Sequence, residues 1–216
     1  MKKLLYKEMR LSANPLSYWF ITFSAMTMIP RYPILVGSFF ICLGIFYTYQ
    51  QVRECDDITY TVMLPVSKQD VVTAKYLFVL LIELVAFVLC ALLTIIRMKT
   101  LGNAAPYVTN QLMNANAAYL GYIMLVFATF NSIFLAGFFK TAYKIGKPFI
   151  LFCVVGTIII LMGEVLHHIP GLESLNDPAN LSIPQVVILL IGIVMFKLCT
   201  WFSYQKAIKD FERLDL

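Results

Sequence analysis

The sequence predicts an all-α polytopic membrane protein with six transmembrane helices and both termini in the cytoplasm. Three observations lead to this class. Of the 216 residues, 60% are hydrophobic types and only 13% are charged, against roughly 45–50% and about 25% in soluble domains. Mean hydropathy is +0.79. The apolar residues are gathered into charge-poor stretches, each about long enough to cross ~30 Å of hydrocarbon as a helix. A helix satisfies its own backbone groups in lipid. The strict alternation over ~10 residues that membrane strands require is absent. Such a chain cannot cover a water-facing surface with polar groups, which excludes a soluble globular enzyme, a disordered chain and a DNA-binding domain. The length accommodates one transmembrane domain over residues 1–216 and leaves no room for a second, soluble one.

Residues 1–15 come first. Leu4, Leu5 and Met9 fall near one helical face, with Lys2, Lys3, Lys7 and Arg10 around the rest. This is the pattern of a short amphipathic helix lying in the membrane interface, ended by Asn14-Pro15. No cleavable signal peptide is apparent, since the first apolar run starts late and lacks a small-residue cleavage site. Spans are expected near residues 16–30, 33–52, 75–97, 117–139, 148–169 and 183–204. The turn Ile29-Pro30-Arg31-Tyr32-Pro33 joins the first two, its prolines stopping one helix and starting the next. Residues 53–74 form a longer inner connector. The outer connectors, 98–116 and 170–184, are rich in Asn, Gly and Pro. No internal repeat is evident.

Lys and Arg set the orientation. Thirteen of the seventeen lie on one side, in the N-terminus (Lys2, Lys3, Lys7, Arg10), the 53–75 region (Arg53, Lys68, Lys75), the fourth-to-fifth connector (Lys140, Lys144, Lys147) and the C-terminus (Lys206, Lys209, Arg213). Arg31, Arg97 and Lys99 lie on the other side, and Lys197 can snorkel from the sixth span. The positive-inside rule places the thirteen in the cytoplasm. The net charge of +5 is therefore topological, and no nucleic-acid partner is expected. The cysteines Cys42, Cys55, Cys90, Cys153 and Cys199 include no CxxC pair and read as apolar fillers rather than a disulfide or metal framework.

The inner connector carries the most information. Ser67 is a helix N-cap, and Asp70 three residues on takes the acidic place of a capping box. The segment Leu64-Pro65-Val66-Ser67-Lys68-Gln69-Asp70-Val71-Val72, followed by Lys75, resembles a segment of bacterial ABC-2-type permease subunits. Lys7-Glu8 and the Ile29–Pro33 turn are similar to the small six-helix permeases of the group that includes phenol-soluble-modulin exporters.

The resemblance covers the whole chain. It implies a multi-pass permease in the plasma membrane of a bacterium. Such a permease pairs as a homodimer or a heterodimer with a second permease and exports an amphipathic or hydrophobic substrate, peptide or lipid-like. Two cytoplasmic ABC ATPase subunits would supply the energy and bind ATP and Mg. This chain has no GxxxxGK(S/T) loop, so it is expected to be no enzyme and to bind no cofactor. The connector would act as a coupling helix with Leu64, Pro65, Ser67, Lys68 and Asp70 as ATPase contacts. Glu54, Asp56 and Asp57 are further candidates, or a solvated acidic turn.

Ionisable and polar residues inside the spans form a second candidate set. Glu83 lies about two helical turns past Lys75, where an ionised carboxylate costs on the order of 2.5–3.5 kcal/mol on insertion scales. It is expected to face protein or water, or to be protonated, as a gate residue or a structural hydrogen bond. Thr157, Glu164 and His168 share one helical face and could line the path or an outer gate. Glu164, His167 and His168 lack the convergent ligands of a metal site. Two other classes compete. A substrate-binding membrane subunit of an energy-coupling-factor-type vitamin importer also has about six helices, but shows no LP-x-S-K-x-D segment and wants a polar ligand cluster. An intramembrane protease wants motifs that are absent.

Overall fold

The computed structural model describes residues 2–214, and among these every regular element is a helix. The N-terminal stretch forms α1 (Lys2–Lys7) and a π-helical turn, Glu8–Ser12. Extended backbone at Ala13 and Asn14 then breaks it. Asn14 caps α2 (Pro15–Trp19): its Oδ1 accepts from Leu16 N at 2.9 Å, with Pro15 in the first turn. A 3-10 stretch, Phe20–Met28, continues α2. Its rise of about 2.0 Å per residue against 1.5 Å for α-helix lets a short segment traverse the bundle.

After the proline turn come α3 (Val36–Glu54), α4 (Asp57–Val62) and α5 (Lys68–Thr100). Asp56 separates α3 from α4 with left-handed backbone, φ 49°, which Asp tolerates better than most residues. Then follow α6 (Ala105–Val108), α7 (Ala117–Thr129), a π stretch Phe130–Leu135, α8 (Ala136–Phe139), α9 (Gly146–Leu166) and α10 (Ile183–Glu212).

Two helical stretches, residues 15–28 and α3, precede four longer ones. Four passes are long and apolar enough to cross a membrane: Lys68–Thr100, Ala117–Phe139, Gly146–Leu166 and Ile183–Glu212. The first pass is shorter, and α3 ends in the polar run Thr48 to Glu54. The described N- and C-terminal segments lie at the same end. Glu8 and Leu214 both contact the start of α5 or its approach, through Lys75 and Lys68.

The helices are not equivalent. In the apolar window of α7–α8, 72% of residues are buried, against 17–33% in the other three. That element is the core, and α5, α9 and α10 turn leucine, isoleucine and valine outward. Gly121 of α7 and Gly192 of α10 let these two helices touch. A Cβ on Gly121 would sit 2.6 Å from the Ile188 carbonyl, and one on Gly192 would meet the Gly121 backbone. Small residues at such crossings allow the close packing on which helix association in lipid depends. On the other side of α7, Phe134 is the hub of an aromatic cluster with Phe46, Tyr49, Phe130 and Phe149.

Candidate functional site

Lys75 begins the apolar part of α5, but its side chain turns back toward the termini. It is 2% exposed. Its Nζ donates to Glu8 Oε2 at 2.8 Å and to Asp57 Oδ2 at 2.9 Å. Lys7 closes the ring from the other side, 3.0 Å from Glu8 Oε1 and 2.6 Å from Asp57 Oδ1. Two ammoniums and two carboxylates thus alternate. Lys7 also donates to Thr61 Oγ1 at 2.7 Å, and Ser12 Oγ to Asp57 Oδ1 at 3.1 Å. Burial by itself raises the Asp57 carboxyl, but the Lys75 and Lys7 ammoniums outweigh it and hold the group below its ordinary value.

The π turn presents Glu8, the start of α4 presents Asp57, and α5 presents Lys75. The ring therefore ties the N-terminal helix and the connector to one long helix. Desolvation offsets much of the Coulomb gain of a buried ion group, so its presence is not by itself a measure of stability.

On this base the connector protrudes. Tyr60, Met63 and Leu64 are 68%, 76% and 51% exposed, with Pro65 exposed beside them. Ser67 Oγ accepts from Asp70 N at 3.0 Å and donates to Asp70 Oδ2 at 2.7 Å, so the end of the connector is capped where α5 starts. Lys68 Nζ donates to the carbonyls of Glu212 and Leu214. A cation on the last carbonyls of α10 complements that helix's dipole. Thr59 and Tyr143 share a hydrogen bond of 2.8 Å, which joins the connector to the turn after α8.

Of the residues singled out in sequence, Leu64, Pro65 and Ser67 are exposed, and Lys68 and Asp70 are half-buried in the contacts just given. Glu54 and Asp56 are exposed, Glu54 accepting from Gln50 Nε2 at 3.0 Å. Asp57 differs from these two in being committed to the ion ring. In the sequence, Lys7, Glu8 and Lys75 stand out only as topology markers or as part of the resemblance. The signals they offered were an acid within a basic tail and a lysine heading an apolar run. Tyr60 and Met63 belong to the same exposed tip.

Within the bundle, Glu83 is 1% exposed and accepts from Asn131 Nδ2 at 3.0 Å. Asn131 also donates to Thr200 Oγ1 at 3.1 Å, and its carbonyl accepts from Ser203 Oγ. Asn131 lies in the π stretch of the α7 pass, a break in helix regularity of the kind often found at functional positions. At the end opposite the termini, Glu164 Oε2 accepts from Met113 N at 2.8 Å and His167 Nε2 lies 3.0 Å from the Gln111 carbonyl. Glu164 thus acts with buried His167, while Thr157 and His168 face outward. Asn114, Asn116 and Asn176 knit the two connectors at that end: Asn114 N donates to Asn176 Oδ1 at 2.7 Å, and Asn116 Nδ2 to the Leu175 carbonyl at 2.7 Å. Among the described residues no group of three or more His, Cys, Asp or Glu could hold a metal ion.

The chain matches a family model described as ABC-2 family transporter protein over residues 3–212. Neither curated proteins nor solved structures gave a match.

Proposed function

The chain belongs to the ABC-2 transporter family, a membrane component of a transporter and not itself an enzyme, and from that premise we propose that it is a permease subunit exporting an amphipathic or hydrophobic substrate, peptide or lipid-like. Both termini and the connector face the cytoplasm of a bacterial cell, as the bias of thirteen Lys and Arg toward that end supports. Separate ABC ATPase subunits bind the exposed tip at Tyr60, Met63, Leu64 and Pro65 and hydrolyse ATP with Mg. A second permease, identical or related, completes the pair.

One observation supports the coupling role above others: an exposed apolar tip sits on a base held by four buried or half-buried charges. A movable tip would absorb a push from its partner. Here Asp57 and Lys75 link the α4 base to α5 over 2.9 Å, and Glu8 carries the displacement to α1. ATP-driven closure then biases the spans between two states by its differential contact with the connector.

The test is co-purification. The tagged chain, extracted in mild detergent from its host, brings a soluble ATPase in fixed proportion. Met63→Asp or Leu64→Asp releases the ATPase without lowering the melting temperature of the permease. Pro65→Asp and Asp70→Lys keep insertion but lose substrate-coupled ATPase stimulation. A chain that purifies alone, while other ABC complexes of the same host survive extraction, contradicts the reading.

A further inference from the structure

Helices α5 and α10 meet at the termini end, where Thr73 and Tyr204 hydroxyls lie 2.9 Å apart and Tyr76 and Ser203 hydroxyls 2.8 Å apart. Beside these contacts they leave a groove of about 510 Å³, walled by Tyr76, Leu80, Phe196 and Trp201 among others. This is within the ~300–1,000 Å³ of small-molecule sites. Leu80 and Phe196 are shared with a second cavity of about 220 Å³, which is lined also by Met124, Phe127 and Glu83. The two cavities therefore adjoin across Leu80 and Phe196 as a mainly apolar slot, with Glu83 on the wall of the smaller one and Lys197 on the wall of the larger.

That carboxylate is half used. Glu83 Oε2 accepts from Asn131, while Oε1 has no hydrogen-bond partner among the described residues, and neither does Asn131 Oδ1. Lys197 lines the groove but forms no ion pair with Glu83 among the described residues. Of these two residues Glu83 is the one that lines the smaller cavity, and its unpaired oxygen calls for a group that donates hydrogen bonds; a positive charge suits it best. We propose that this slot binds a hydrophobic primary amine, its ammonium on Glu83 and its apolar body along Leu80 and Phe196 toward Trp201. The site goes beyond the transport reading and does not depend on it, because binding needs neither ATPase nor ATP.

The experiment uses the full chain carrying Trp19→Phe, which leaves Trp201 as the only tryptophan, in phosphatidylcholine nanodiscs. ω-Bromoundecylamine is titrated against the matched bromo-alcohol and bromo-carboxylate, with bromine quenching of Trp201 as the readout. The amine is expected to quench saturably, at roughly tenfold lower concentration than either control, as a hydrogen bond to a charged group allows. Glu83→Gln is expected to erase that preference. Leu80→Phe, which narrows the junction of the two cavities and leaves Glu83 in place, is expected to remove the saturable component. Weaker quenching in discs containing phosphatidylethanolamine would identify a lipid headgroup as a natural source of the amine; unchanged quenching would identify a free amphiphile. Equal quenching by all three probes, or an amine preference that survives Glu83→Gln, overturns the proposal.

Discussion

Lys75 and Glu8 are 67 residues apart in sequence and 2.8 Å apart in space, both almost wholly buried. With Asp57 and Lys7 they make an electrically neutral ring at the base of the connector. The ring adds charge pairing to three elements that also pack through apolar side chains, Leu5, Ile58 and Val71 among them.

Removing one member should therefore cost more than removing a compensated pair. Lys75→Met leaves Glu8 and Asp57 short of positive charge, and breaking a buried pair in this way costs about 3–5 kcal/mol. Adding Glu8→Gln should return part of the loss. A double-mutant cycle on the melting temperature in detergent is expected to show coupling of about 1 kcal/mol or more. Additive losses would show that the two groups act separately.

Acid should release the ring in a definable direction. An Asp in an unfolded chain titrates near ~3.9, and the Asp57 carboxyl in the fold lies below its ordinary value. Its contribution is whole above the unfolded value and is lost as pH falls through the folded one. Asp57→Asn should be less stable at neutral pH, and its melting temperature should fall less steeply from about pH 5 to about pH 2 than that of the parent. Parallel acid limbs for the two proteins would assign the acid sensitivity to other groups.

The cap on α5 offers a local test. Ser67→Ala removes the acceptor for Asp70 N and should cost about 1 kcal/mol. Hydrogen exchange at the Asp70 amide should quicken by roughly fivefold, while the α7 core keeps its protection. Ser67→Thr, which keeps a hydroxyl that both accepts from Asp70 N and donates to its carboxylate, should restore most of the loss.

The crossing of α7 and α10 has no spare room. Gly192→Leu drives a side chain into the Gly121 backbone, and overpacking of this type costs about 1–3 kcal/mol or more. Gly146→Ala, where a Cβ meets nothing within 4 Å, should leave the melting temperature unchanged. Equal melting temperatures for the two variants would refute the close crossing.

Much of the architecture was open to a reading of the sequence. Apolar length sets four of the passes, and the Ser67–Asp70 cap was legible because it depends on residues three apart. The first pass was less so: its 3-10 stretch covers more distance per residue than the α-helix that a charge-free run suggests. The outer ionisable residues show the limit of periodicity. Helical spacing grouped Glu164 with Thr157 and His168, yet Glu164 and His167 both hold the 111–113 backbone. The last turn of α9 ends at Leu166, so His167 and His168 lie beyond the helix and its face does not predict where they point.

By itself, the sequence determined the membrane class, the helical passes, the likeness to ABC-2 permeases and the capped connector. The likeness rests on the resemblance of the 64–75 segment to known permeases; the others follow from composition, from apolar length or from neighbours within one helical turn. Tertiary structure alone decided that Lys75 turns back to Glu8 and Asp57, that Lys68 caps the end of α10, and that α7 is the buried core. It also decided that Glu83 meets Asn131 of the α7 pass through one oxygen and leaves the other without a partner among the described residues. These depend on how each helix is rotated about its axis and which neighbour it meets, and those are settled by packing between segments far apart in the chain.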